Sequence, residues 1–204
     1  MNTQNNVLQF KNEIIEIGKK SVLNGYVTTV GGNISVRLGE DQYLITSTGT
    51  PLDELTEENI LTVDVSGCLI EGSMKPSKET NMHLAIYCHR PDVDAVVHLH
   101  PILSTTLISI DEEITPITME ELYFIGDQIG TVPLLAAGGC DLHNAVVQEA
   151  EKCNVVFLKN HGCIATGKSL KEAYFRIVKL ERAAQATIIA KIFGKKIEKF
   201  PLLG

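Results

Sequence analysis

The chain lacks the features that would send it to a membrane, out of the cell or onto a nucleic acid. No run approaches the ~20 apolar residues of a bilayer span. The opening MNTQNNVLQFKNE is polar, without the charged-then-apolar layout of a secretory signal, so the expectation is a cytosolic protein. Five scattered cysteines (Cys68, Cys88, Cys140, Cys153 and Cys163) are odd in number and form no C-x-x-C pair. That argues against a disulfide framework and against a thiolate zinc knuckle, and the thiols read as buried or bystander groups. Basic residues cluster only at Lys195, Lys196 and Lys199, and the net charge is −7, which speaks against steering of nucleic acid. With that charge, an anionic substrate has to be held by local donors. Internal repeats, low-complexity segments and long linkers are also missing.

What is present suits one domain over residues 1–204, long enough for a substantial core. Residues ~4–23 carry Leu8, Ile14, Ile15 and Val22 at mostly helical spacing, and Gly25 suits the stop. ISVRL and YLITST read as strands, and residues 60–65 and 68–70 as a strand pair around Ser66-Gly67. Pro76-Ser77 opens a helix of about 12 residues that Pro91 ends. DAVVHLH is a buried strand, residues 103–109 a helix, PLLAAG a strand or loop, and residues 141–152 a helix. VVFLKNHG is a strand that Cys163–Thr166 either continues or returns along. Ser169 to Glu172 is a capping box before a long helix with Ala173, Ile177, Leu180, Ala184 and Ile188 on one face. Helices at both ends and strands between them predict an α/β (α+β layered) fold with a mainly antiparallel sheet.

Side chains two apart on a strand share a face, so His98 and His100 project together, with Val97 and Leu99 on the other side. Two such imidazoles are half of a zinc site, or a hydrogen-bonded pair lining a polar face. His161, at the end of an apolar strand, can deliver a third. Ser77 as N-cap would put Glu79 in the first helical turn, where a carboxylate is favoured. Three histidines and one carboxylate complete four-coordinate zinc, and a carboxylate able to leave keeps a catalytic position open. His83, one turn after Glu79, either orients it or packs. His89 and His143 read as surface residues, and Met82, Ala85 and Ile86 as helix packing.

GGNISVR, ITSTGTP, KPSKET, DAVVHLHP and LKNHGCIATG occur in this order and at this spacing. Together they resemble the class II aldolase/adducin superfamily over roughly residues 8–190. The resemblance implies a central, mainly antiparallel sheet flanked by helices, in a homotetramer with active sites at subunit interfaces. It implies one zinc (or another divalent metal) per subunit on His98, His100 and His161. Glu79 would be the fourth ligand and, once displaced, the general base. It further implies that Gly32, Asn33, Thr48, Gly49 and Ser77 hold the substrate phosphate. The activity implied is cleavage of a ketose phosphate, fuculose-1-phosphate-like, to dihydroxyacetone phosphate and an aldehyde through an enediolate that the metal stabilises.

Three departures from the family pattern bear on this. Lys78 stands where a second serine is usual, and could bind phosphate, select a carboxylate or face solvent. Glu120, beside Glu121, stands where fuculose-type enzymes carry a proton-donating tyrosine. Either carboxylate could be the acid if desolvated. No tyrosine follows Tyr174. A 3-oxo-tetronate-phosphate-type decarboxylase is therefore the leading alternative. Sugar-phosphate 4-epimerase, methylthioribulose-phosphate dehydratase and a non-enzymatic adducin-like module rank behind it.

Overall fold

The helical spacing near the amino end produces α1, Thr3–Leu23, in a computed structural model that describes residues 3–39, 41–136 and 139–200. Gly25 follows it with φ +71°, a left-handed conformation that only glycine adopts without cost. Then come β1 (Asn33–Arg37), β2 (Gln42–Thr46), β3 (Ile60–Asp64) and β4 (Leu69–Glu71). The β3–β4 turn is built on Asp64, whose Oδ1 accepts from Ser66 N at 2.8 Å and Cys68 N at 2.9 Å. After α2 (Thr80–His89) and β5 (Ala95–Leu99) lie α3 (Ile102–Ser109) and α4 (Met119–Ile125). The chain goes on through β6 (Gly130–Val132), α5 (Cys140–Ala150), β7 (Val155–Leu158), β8 (Gly162–Gly167) and α6 (Leu170–Ile192).

The strands form one eight-stranded sheet in the order β4-β3-β2-β1-β5-β8-β7-β6. Every pairing is antiparallel except β6 with β7. Helices cover both faces. Val97 and Leu99 pack with Ile14 of α1, Leu107 of α3 and Ile177 of α6. Val96 packs on the other face with Met82 and Ile86 of α2 and Val146 of α5. All five residues of β5 are buried, and each of its valine and leucine side chains contributes roughly 1.5–3 kcal/mol. A ligand carried on β5 therefore stands in the buried middle of the sheet. No helix among the described residues is long and apolar enough to cross a membrane.

Several expectations are refined. Cys163–Thr166 returns as the hairpin partner of β7 instead of prolonging it. In PLLAAG, residues 133–136 are irregular and 137–138 lie outside the described residues; the strand falls just before, at Gly130–Val132. Helix α4 was not anticipated, although its capping box, Thr118 with Glu121, is legible in the sequence. The helix expected from Ser77 begins at Thr80. Ser77, Lys78 and Glu79 form a turn in which Thr80 N and Oγ1 both donate to Ser77 O, at 3.1 and 2.7 Å. Glu79 is thus the N-cap residue, with no side-chain cap bond, and its carboxylate is free to face the sheet. Ser169 does cap α6, accepting from Glu172 N at 3.2 Å, while Glu172 reaches back to Lys168 N.

Candidate metal centre and phosphate nest

His98 is fully buried near the end of β5. The strand ends at Leu99, so His100 lies one residue beyond it. The two rings still meet, with Nε2 atoms 3.1 Å apart and centroids 4.9 Å apart. His161 sits in the turn between β7 and β8, where Asn160 takes φ +58°. Its ring centroid is 4.9 Å from that of His98 and 5.2 Å from that of His100. One ligand nitrogen from each histidine lies within 4.8 Å of the others. The His98 Nδ1 is 2.9 Å from Cys163 O. A carbonyl can only accept, so Nδ1 carries the proton and the Nε2 lone pair points into the cluster.

Glu79 meets two of the three rings. Its Oε2 is 3.4 Å from His98 Nε2 and its Oε1 is 3.6 Å from His161 Nε2. Asn33, opposite His98 in the β1–β5 register, donates Nδ2 to Glu79 Oε2 at 2.6 Å. Burial would raise the Glu79 carboxyl, but the imidazoles of His98, His161 and His83 and the Asn33 amide outweigh it and hold the group at about 2. Burial lowers His98, and burial with the neighbouring imidazoles lowers His100 to about 3. At neutral pH an ionised carboxylate therefore faces the neutral His98 imidazole, with neutral His100 beside it, and no lysine or arginine among the described residues pairs with it. That donor set fits a divalent cation of the zinc type.

Two glycines leave room for the rings. A Cβ on Gly162 would stand 2.5 Å from His100 Cδ2, and one on Gly31 would stand 2.9 Å from His100 Nδ1. The glycine that follows His161 thus walls the His100 slot. The signal was there in GG and HG, but it needed the facing imidazole to be read.

The expected phosphate residues form one neighbourhood. An isolated bridge joins Ser47 to Pro76, with Thr48 N donating to Lys75 O at 2.9 Å and Ser77 N to Thr46 O at 3.1 Å. Those two amides are thus committed to the backbone. Asn33 is committed through Nδ2 to Glu79. Ser77 Oγ accepts from Glu79 N at 3.2 Å, which leaves its hydroxyl proton for a ligand. Gly32 and Gly49 take φ +75° and +78°. Lys78 is exposed and makes no hydrogen bond or ion pair among the described residues.

Other expected residues fall elsewhere. Glu120 is exposed on α4 and ion-pairs with Lys179 at 2.7 Å, and no contact ties it to the histidines of its own chain. Glu121 is buried and is used by the capping box, with Oε2 accepting from Ile117 N at 2.8 Å and Thr118 N at 3.2 Å. His83 is buried, with Nδ1 2.7 Å from Ser35 Oγ and Nε2 without a partner among the described residues. His89 is exposed, but His143 is half-buried instead of lying on the surface as expected. Met82 and Ile86 are core residues. Cys153 and Cys163 are buried, and Cys68, Cys88 and Cys140 are exposed and unpaired.

Comparison with known proteins extends this geometry. A family model described as Class II Aldolase and Adducin N-terminal domain matches residues 12–188. An L-fuculose phosphate aldolase of Methanocaldococcus jannaschii is 38% identical over 185 residues, covering 91% of this chain and 99% of that protein. A 3-oxo-tetronate 4-phosphate decarboxylase of Pectobacterium atrosepticum is 34% identical, covering 87% of this chain and 83% of its own length. A solved L-fuculose 1-phosphate aldolase superposes with a TM-score of 0.85 at 30% identity, over 94% of this chain and 90% of that one.

Proposed function

This chain belongs to the class II aldolase and adducin family, as a metal-dependent lyase, and from that premise we propose that it cleaves a ketose 1-phosphate of the fuculose type to dihydroxyacetone phosphate and an aldehyde. The observation that carries the reading is the convergence of His98, His100 and His161 with an ionised Glu79. Zinc held by these four groups would supply Lewis-acid polarisation of the substrate carbonyl oxygen.

Glu79 is the base that takes the proton from the substrate hydroxyl. A carboxyl at about 2 is a poor base. Turning toward the substrate takes it away from the imidazoles and leaves burial to raise it. As the carbon–carbon bond breaks, the aldehyde leaves and the electron pair stays on the three-carbon fragment as an enediolate. An acid then returns a proton to carbon. We assign that acid to Glu120 of a neighbouring protomer in a cytoplasmic homotetramer, since Glu120 is exposed on α4 and would be desolvated only by another protomer. Ser77 Oγ, Thr48 Oγ1, the Gly32 and Gly49 amides and Lys78 bind the phosphate, as an anion nest assembled from local donors.

One observation favours a second reading. The relative named as a decarboxylase covers nearly as much of the chain, and exposed Lys78 stands beside the nest, where it could receive a carboxylate. In that case a 3-oxo acid phosphate loses carbon dioxide to the same enediolate.

A coupled assay for dihydroxyacetone phosphate over a panel of ketose 1-phosphates, with and without chelator, separates the two. Chelator-sensitive release supports the aldolase. Carbon dioxide from a 3-oxo acid phosphate, with no aldehyde from any ketose, replaces it with the decarboxylase. A protein that loses its zinc on His98→Ala yet retains full activity would sink both.

A further inference from the structure

Glu181 lies in the middle of α6 with 9% of its surface exposed. Its Oε1 accepts from Leu103 N at 2.9 Å, and its Oε2 accepts from Ser104 N at 2.8 Å and Ser104 Oγ at 2.7 Å. No lysine or arginine pairs with it among the described residues. The three donors belong to the first turn of α3, whose N-cap, Pro101, offers no side-chain cap. The first amides of a helix lack intrahelical acceptors, and a carboxylate suits them. A serine or asparagine at the N-cap would satisfy the same amides without burying a charge. Here the acceptor comes instead from 77 residues away in sequence.

The placement of α3 explains what the charge secures. Only His100 and Pro101 separate β5 from α3. His100 is therefore suspended between its own N–H bond to Tyr26 O, at 2.8 Å, and a helix start tied to α6. At the other end of α3, Ser109 Oγ accepts from Asn160 N at 2.9 Å, and Asp111 pairs with Lys159. These contacts hold the turn that presents His161. The helix is a strut between the two ligand-bearing segments, and Glu181 anchors it to the core.

We infer that Glu181 is a positioning residue of the metal centre: by clamping the first turn of α3 it sets the spacing of His98 and His100 relative to His161. This rests on reading the three histidines as metal ligands. A group bonded directly to a metal ligand typically carries about 10–100-fold of metal affinity, and Glu181, acting through the α3 backbone, is expected to carry about tenfold.

The test compares the parent protein with Glu181→Met and Glu181→Gln. Zinc affinity is measured by competition with a chromophoric chelator at a temperature where the metal-free variants are folded by circular dichroism. The absorption spectrum of the cobalt(II)-loaded proteins reports ligand geometry. Glu181→Met should bind zinc about tenfold more weakly with an altered cobalt spectrum. Glu181→Gln, which keeps one acceptor oxygen, should recover part of the loss. Zinc affinity within about twofold of the parent with an unchanged cobalt spectrum, even beside a lowered melting temperature, reduces Glu181 to a plain helix cap and overturns the inference. Should Glu181→Met not fold, Ser104→Ala decides by the same readings: a loss of a few-fold supports the clamp, and no loss overturns it. A parent protein that takes up no zinc overturns the underlying metal reading, whereas equal binding by parent and variants overturns only the role of Glu181.

Discussion

Asn33 donates its side-chain amide to Glu79 Oε2 at 2.6 Å, while its own Oδ1 is buried with no partner among the described residues. The amide is committed to the carboxylate that faces the histidines. This bond is one of the influences that hold Glu79 at about 2, so removing it raises the group. Asn33→Asp, which sets two carboxylates against each other, should move the pH midpoint of zinc uptake upward. At neutral pH, zinc affinity should fall by about 10–100-fold. An uptake curve that superposes on the parent's would return Asn33 to the phosphate role alone.

Metal-free protein should lose stability as pH falls from neutral. Burial holds His83 and His100 at about 3 in the fold, against 6.5 when unfolded. Between those values the unfolded chain binds more protons, so stability rises with pH. It is fully present above about 6.5 and is lost as pH falls toward about 3. Glu79 adds loss of the same sign between 4.5 and about 2. The slope reaches at most about 1.4 kcal/mol per pH unit for each imidazole. Melting temperatures between pH 7.5 and 5 measure it, and His83→Gln should flatten the curve. A flat profile in the parent would contradict the burial of these rings.

Gly162→Ala places a methyl group 2.5 Å from both His100 Cδ2 and Leu99 O. Backbone cannot yield there as a flexible side chain would. The substitution should cost about 1–3 kcal/mol of stability and lower the zinc content per folded chain. Metal analysis of the purified variant checks the second effect independently of the first.

Lys78 is exposed and unengaged among the described residues, beside the nest. If it meets a substrate anion, Lys78→Ala should raise KM for the phosphorylated substrate about tenfold, the worth of one charged hydrogen bond. Zinc content should stay unchanged. A KM equal to the parent's would leave Lys78 in solvent.

Much of the site was legible because it is carried by short local patterns. The H-x-H at the end of an apolar strand, the N-H-G after another and the Pro-Ser-Lys-Glu turn each declare a group by residue type and spacing. The misplacements have local physical causes. The α2 start moved to Thr80 because the Thr80 amide and hydroxyl both choose Ser77 O. The Thr48 amide is taken by Lys75 O, a partner that spacing along the chain could not name. His143 is half-buried, which helix periodicity alone did not show.

The sequence by itself determined which side chains could hold a cation, most of the segments that are strands or helices, and which family the chain resembles. Those properties depend on residue type, period and order, all of which are local or countable. Only the tertiary structure decided that β1 lies between β2 and β5, which sets Asn33 against His98 and hence beside Glu79. Only it decided that β8 pairs with β5, so that Cys163 O meets His98 Nδ1 and selects its tautomer. It alone brought Glu181 onto the first turn of α3. Each of these bonds joins residues more than 40 positions apart. Such pairings follow from how sheet and helices pack, and no pattern along a single chain encodes them one by one.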